Sequence, residues 1–409
     1  MRSALSALFI FVLYISQTQA SPIEQDPRKF VQIEATTKEQ RTQIATLGAS
    51  IEAVRSDSVW AFADPLSLKN IKESGFKVLG THSLAVARGG HQTGFDFPDA
   101  DSRFHNYNEL VTALRTLEQR NSDIVKVVSI GKSVQNRDIL AVHINTSPEA
   151  LKTGQSGKPG VIFMGTHHAR EHISTEIPLM VAEHLMKFKQ DQKIADLIHG
   201  RDIWIIPMVN PDGVEYDIDG KSYRMWRKNR ATNNNGTFGV DLNRNYGFKW
   251  GTGGSSTNPS SDVYMGPAPF SEPESQAIKN LVDSLPNTKV LLSFHTFSEL
   301  ILYPWGNTYD AIGNSRDLSV FKKMAETMAQ WNKYTPQQSS DLYIASGDTT
   351  DWAYGERGVF AFTFELSPKS MWDGGFYPGA GVIDKVFQDN LRPVLYMLEV
   401  ADNPYKVIE

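Results

Sequence analysis

Val161-Ile162-Phe163-Met164-Gly165-Thr166-His167-His168-Ala169-Arg170-Glu171 runs from an uncharged apolar stretch straight into a cluster of polar, potentially metal-ligating side chains. A continuous apolar run of this length is expected of a strand buried on both faces, the kind found in parallel sheets covered by helices. Residues 176–188 follow with helical spacing. The turn between them holds His168 and Glu171 three apart, so both side chains can reach one point. One histidine and one carboxylate are two of the three protein ligands of a catalytic zinc site.

The same alternation continues on both sides of this stretch. Strands are expected at 125–130, 139–144, 203–209, 290–294 and 359–364, and helices at 106–120, 272–284, 318–331 and 383–400. This implies an α/β domain whose mixed, largely parallel central sheet is flanked by helices on both faces. His295 follows the strand at 290–294, where ligand sites of open α/β sheets lie, and is the candidate third ligand. His167 and His172 are read as structural. No H-E-x-x-H pattern is present, and Gly131-Lys132-Ser133 is not a phosphate loop, because position 126 is lysine where a glycine is required.

The N-terminus has a different character. Arg2, the apolar run at 4–15 and Thr18-Gln19-Ala20 have the order of a signal peptide over residues 1–20, and the run is too short to span a bilayer. Export, to the periplasm or the medium, is the expectation. Residues 29–33, 58–63 and 76–79 alternate as strands, with helices expected at 37–47 and 66–74. Strand–helix–strand–helix–strand in so few residues suits a small α+β open sandwich. A glycine-rich stretch, 85–94, then forms a linker, with Arg88 as its exposed processing point. The expected organisation is signal peptide 1–20, propeptide 21–94 and main domain 95–409.

Composition narrows the function. Among 409 residues there are 41 Lys and Arg, 46 Asp and Glu, and a net charge of −5, with no basic block, so nucleic acid is not the expected partner. No later segment is apolar enough for a membrane span. Cysteine is absent, which excludes disulfides and thiol chemistry and leaves His and carboxylates as metal ligands.

The blocks around these residues resemble the zinc metallocarboxypeptidase family of the carboxypeptidase A/B type, and within it the bacterial carboxypeptidase T branch. They are His168-Ala169-Arg170-Glu171, Arg224-Met225-Trp226-Arg227-Lys228, Asp241-Leu242-Asn243-Arg244, His295-Thr296-Phe297, Leu342-Tyr343 through Asp348, and Phe362-Thr363-Phe364-Glu365-Leu366. The likeness covers the chain from about residue 96 onward, together with its order of signal peptide, propeptide and enzyme. It implies one Zn2+ held by His168, Glu171 and His295, with Asp241 orienting His168. It implies Asn243, Arg244 and Tyr343 as receivers of a terminal carboxylate, Arg227 at the oxyanion, Arg170 at the next subsite and Glu365 as general base. The implied partners are peptide and protein C-termini, the chain's own propeptide as inhibitor and an activating protease, with a monomer expected.

Chemistry supports these assignments independently. Zinc with three protein ligands keeps an open position and acidifies water there. A carboxylate can move that water's proton to the leaving amine. Hydrolysis places negative charge on the carbonyl oxygen, which a fixed guanidinium stabilises. A free carboxylate calls for an arginine fork, for which an endopeptidase has no use.

By the same resemblance, Thr349 and Thr350 line the pocket for the last side chain and Gly306 lies near it. Members restricted to basic residues carry an aspartate where Thr350 stands. Asp348, two residues earlier, leads to an expectation of broad specificity, with apolar and aromatic ends preferred and Lys and Arg tolerated. The calcium-binding acidic run of carboxypeptidase T is not matched, since 147–158 holds one acidic residue, so Ca2+ is placed in doubt. The alternative function is a zinc amidase of the same fold acting on peptidoglycan or acylated amino acids, which would not need Asn243, Arg244 and Tyr343 together.

Overall fold

Two runs of alternating apolar residues build two sheets, seen in a computed structural model that describes residues 26–83 and 96–409. The expected signal peptide and the linker with Arg88 lie outside the described residues.

In the N-terminal region β1 (Lys29–Glu34), β2 (Ser50–Val54), β3 (Ser58–Ala63) and β4 (Val78–Ser83) pair antiparallel in the order β2-β3-β1-β4. Val31, Ile33, Val59 and Ala61 point to one face, where they bury Ile44 and Ile71 of the helices Lys38–Thr46 and Pro65–Glu73. Thr37 and Gln40 form a reciprocal capping box at the first helix, and Asp64 caps the second, which starts on Pro65. The sheet has one strand more than the sequence pattern implies, and its last strand starts at Val78 instead of residue 76. β2 is short and carries Glu52 at its centre, so its strand character comes from pairing with β3. The opposite face presents Phe62 to Phe297 and Phe376 of the main region.

The main sheet contains β5 (Val125–Lys132), β6 (Asp138–Ile144), β7 (Gly160–Gly165), β8 (Asp202–Ile206), β9 (Thr288–Thr296), β10 (Leu300–Tyr303), β11 (Thr335–Gln338) and β12 (Phe360–Leu366), ordered β11-β10-β12-β9-β7-β8-β6-β5. The centre, β12-β9-β7-β8, is parallel throughout, and β5, β6 and β10 pair antiparallel around it. Both faces are buried, as the uncharged run at Val161 implies. Val161 and Phe163 face the helices Tyr107–Arg120, Ile173–Lys187, Ser315–Asn332 and Ile383–Val400, while Ile162 and Met164 face Pro273–Ser284 and Thr349–Arg357.

This topology sets the site. Gly165 of β7 lies in register with Phe294 of β9, and His295 of β9 lies in register with Glu365 of β12. The C-terminal ends of the central parallel strands therefore share one rim, where ligands collect in such sheets.

Candidate active site

The turn after β7 depends on a glycine. A Cβ on Gly165 would fall 1.8 Å from the Ser174 carbonyl oxygen, so the helix Ile173–Lys187 could not close on the strand with any other residue. Thr166 follows with φ of 58°, and the chain then turns His168 and Glu171 toward β9.

Three ligand atoms converge there. Nδ1 of His168 and Nδ1 of His295 stand 3.2 Å apart. Glu171 sets Oε1 2.7 Å from the first and Oε2 3.0 Å from the second. The outer nitrogens are both engaged: Nε2 of His168 is 3.0 Å from Asp241 Oδ1, and Nε2 of His295 is 3.0 Å from Ser293 Oγ. These outer bonds fix the tautomers so that both inner nitrogens can offer lone pairs, the arrangement of metal-ligating histidines. The 3.2 Å separation is also about the edge of a tetrahedral site with zinc–nitrogen bonds of ~2.0 Å. Two imidazoles, one carboxylate and a cleft above them thus fit zinc. Burial alone would raise the Glu171 carboxyl, but His168 and His295 outweigh it and hold the group below the ordinary carboxylate range. His167 and His172 face elsewhere, to Tyr246 and Asp217.

Asp241 links two functions. Its Oδ1 meets His168 and its Oδ2 accepts the Arg227 Nε–H at 2.9 Å. Burial opposes the charge on both, yet Arg227 keeps Asp241 well below the ordinary range, and Asp241 in turn raises Arg227.

A cleft of about 540 Å³ opens over the three ligands, and Arg227, Asn243, Arg244, Tyr343 and Glu365 line it with them. Asn243 is anchored through its Oδ1, which accepts from Thr349 N at 3.0 Å and Thr349 Oγ1 at 2.9 Å. Arg244 donates Nη1–H to the Asn243 carbonyl at 2.8 Å. Burial, reinforced by Glu171, lifts the Glu365 carboxyl well above its usual range, against the pull of Arg227.

Asp348 caps the helix Thr349–Arg357. Its Oδ1 accepts from Thr350 N, Asp351 N and Thr350 Oγ1, while its Oδ2 is buried with no partner. Gly306 faces that oxygen: a Cβ there would stand 3.2 Å from Asp348 Oδ2 and 3.1 Å from the Ala345 carbonyl. Asp348, Thr350 and Gly306 thus share one end of the cleft. Thr349 does not line it. As the first residue of the helix it turns inward beneath Asn243 and touches His167 Nε2 at 3.1 Å.

Arg170 is likewise off the cleft wall. It is fully buried, with Nη2 2.6 Å from Glu52 of β2, Nη1 3.3 Å from Asp262, and its guanidinium stacked on Phe376 at 4.3 Å. β2 lies across the cleft, and its Ile51 carbonyl is 3.5 Å from the Tyr343 hydroxyl. Sequence reading missed Ser293, Glu52 and Asp262. Ser293 was findable, because it stands two before His295 on the same strand face. Glu52 was not, since it reaches the site through contacts 118 residues distant in the chain. The stretch at 147–158, where Ca2+ is in doubt, holds the short helix Pro148–Thr153, capped by Ser147.

A family profile described as zinc carboxypeptidase matches residues 110–393. A zinc carboxypeptidase of Saccharothrix mutabilis subsp. capreolus is 34% identical over 428 aligned residues, covering 100% of this chain and 97% of that one. Carboxypeptidase A5 of Macaca fascicularis is 32% identical over 74% of this chain and 69% of its own length. Among solved structures, carboxypeptidase A from Helicoverpa armigera superposes with a TM-score of 0.73 at 25% identity, over 93% of this chain and 98% of that one.

Proposed function

We propose, from the premise that this chain belongs to the zinc carboxypeptidase family, that it is exported as a zymogen and trims single residues of broad type from peptide C-termini. The chain is a metallocarboxypeptidase, an exopeptidase with a His-Glu-His zinc site. The observation that carries the finer reading is that Asn243, Arg244 and Tyr343 share one cleft with that site. Together they offer an amide, a guanidinium and a phenol to a terminal carboxylate.

His168, Glu171 and His295 would hold the zinc, which would supply Lewis acidity near neutral pH. The chain's own groups do the rest. Arg244, steadied by the Asn243 carbonyl, holds the terminal carboxylate and so sets which peptide bond lies over the site. Arg227, its Nε tied to Asp241, turns its remaining N–H groups to the carbonyl oxygen where charge develops. Glu365 takes a proton from the attacking water and returns it to the leaving amine. Its raised pKa favours the first of these transfers, since the conjugate base of a weaker acid is a stronger base.

The buried, unpartnered Asp348 Oδ2 supports tolerance of Lys and Arg as the last residue, and the uncharged Thr350 supports acceptance of apolar ones. β2 across the cleft and the Glu52–Arg170 pair support inhibition by the N-terminal region until an activating protease cuts the linker. The apolar N-terminal run supports export.

The test is release of Phe, Leu or Lys from N-blocked dipeptides after limited proteolysis of the folded full chain, with and without o-phenanthroline, beside Glu365→Gln. Chelator-sensitive release that is lost in the variant, with C-terminal amides resistant, is expected. Failure to release any residue with zinc bound would move the assignment to an amidase.

A further inference from the structure

The cleft has a wall that this chemistry leaves unused. Met371–Asp373 form a single turn after β12, and Trp372 stands on the wall 56% exposed. Two groups of the N-terminal region meet it. The Arg55 guanidinium lies 4.5 Å from the ring centroid, in cation–π range, and Trp60 meets it edge-on at 5.7 Å. Trp60 belongs to a stack within its own region, with Phe30 at 5.1 Å and His82 at 5.7 Å. Arg55 reaches out from the end of β2.

The chain leading to Arg55 follows the cleft. Ile51, Glu52, Ala53, Val54 and Arg55 all line it, with Ile51 at Tyr343 and Arg55 at Trp372. At about 3.3 Å per residue, an extended chain covers about 13 Å between those two points. A substrate whose carboxylate sits by Tyr343 and Arg244 would therefore pass Trp372 about four residues before its end. Asp373, on the same wall, adds a carboxylate there.

We propose that Trp372 is a specificity-determining platform that receives an arginine or lysine side chain of the substrate three or four residues upstream of its C-terminus, and that Arg55 fills this place in the precursor. The proposal rests on the carboxypeptidase reading of the cleft. Trp372 touches no reacting atom and acts on binding alone. The selectivity it adds is upstream of, and separate from, that of the pocket at Asp348.

The experiment uses the folded full chain cut by limited proteolysis, as the unsubstituted protein and as Trp372→Ala and Trp372→Phe. N-acetylated hexapeptides ending in Leu differ only at the fourth or fifth residue from the end, which is Arg, Ala or Glu. In the unsubstituted protein, Arg should exceed Ala in kcat/KM by about two- to fivefold at one of these positions, the size of an exposed cation–π contact. Glu should fall below Ala, and the difference should sit in KM. The Arg-to-Ala ratio, taken within each protein, should fall to about one in Trp372→Ala and be partly kept in Trp372→Phe. Equal rates for Arg and Ala in the unsubstituted protein, or a ratio unchanged in Trp372→Ala, would overturn the platform. Cleavage of an N-blocked dipeptide by the unsubstituted protein separates the two readings: its absence removes the carboxypeptidase, its presence with a flat ratio removes only the platform.

Discussion

Arg227 and His168 are joined through one carboxylate: Asp241 accepts the Arg227 Nε–H at 2.9 Å on one oxygen and meets His168 Nε2 at 3.0 Å with the other. The group proposed to orient a zinc ligand thus also fixes the group proposed to meet the oxyanion. Asp241→Asn should weaken zinc binding by about 10- to 100-fold, the usual effect of losing such a partner. Competition with a chromophoric chelator measures it. Asp241→Ala should also destabilise the fold by about 3–5 kcal/mol, because the buried Arg227 loses the nearer of its two carboxylate partners. Unchanged zinc affinity in both variants would dissociate the carboxylate from the metal centre.

Arg244 bears on which end of a peptide is read. A hydrogen bond to a charged group contributes about 1.5–3 kcal/mol. Arg244→Ala should therefore lower kcat/KM for free C-termini by about 10- to 100-fold. The measure is the ratio of acid to C-terminal amide substrates, which should collapse toward one. A ratio unaffected by the substitution would place carboxylate recognition elsewhere.

Asp348 can be changed without breaking its helix, since asparagine caps as well as aspartate. Asp348→Asn should reduce release of C-terminal Lys and Arg by about tenfold or more through loss of a charge-assisted contact, with Leu and Phe little altered. Steady-state kinetics on dipeptides ending in these four residues decides it. A uniform loss across all four would mean that the aspartate serves the fold alone.

Glu274 lies outside the cleft and predicts a pH dependence of stability. Burial raises its carboxyl to about 7, although Val134 N–H and Asn229 Nδ2–H both donate to it. With the folded pKa above the unfolded one, the native state holds the extra proton, so stability is greatest below about 4.5 and declines as pH rises toward about 7. The decline should be on the order of 3 kcal/mol from this group. Urea unfolding of Glu274→Gln at pH 5 and pH 8 should show a smaller difference between the two pH values than the unsubstituted protein. An identical difference would mean that the group titrates normally.

The central strands and the ligand set were legible because each rests on local signals. The run at Val161 announces a doubly buried strand, and the spacing of His168 and Glu171 announces a shared point. What escaped was structure made by contact. β11 contains Pro336 and is an edge strand, a place where proline hides the pattern. The helix Thr349–Arg357 begins with two β-branched threonines, and only the Asp348 cap signals it. β2 gains its form from β3, and Glu52 gains its role from Arg170, neither of which is near it in sequence. The inward turn of Thr349 follows from its place under Asn243, which no pattern records.

The ligand triad has one consequence for the durability of the molecule. Glu171 and His295 are 124 residues apart, and the chain has no cysteine with which to tie them. A divalent ion held by both works as a removable rivet between distant segments, and it favours the folded chain in proportion to how tightly these side chains grip it. Chelators should therefore shorten the life of this protein in hot or denaturing solution as well as silence it, and reductants should do neither.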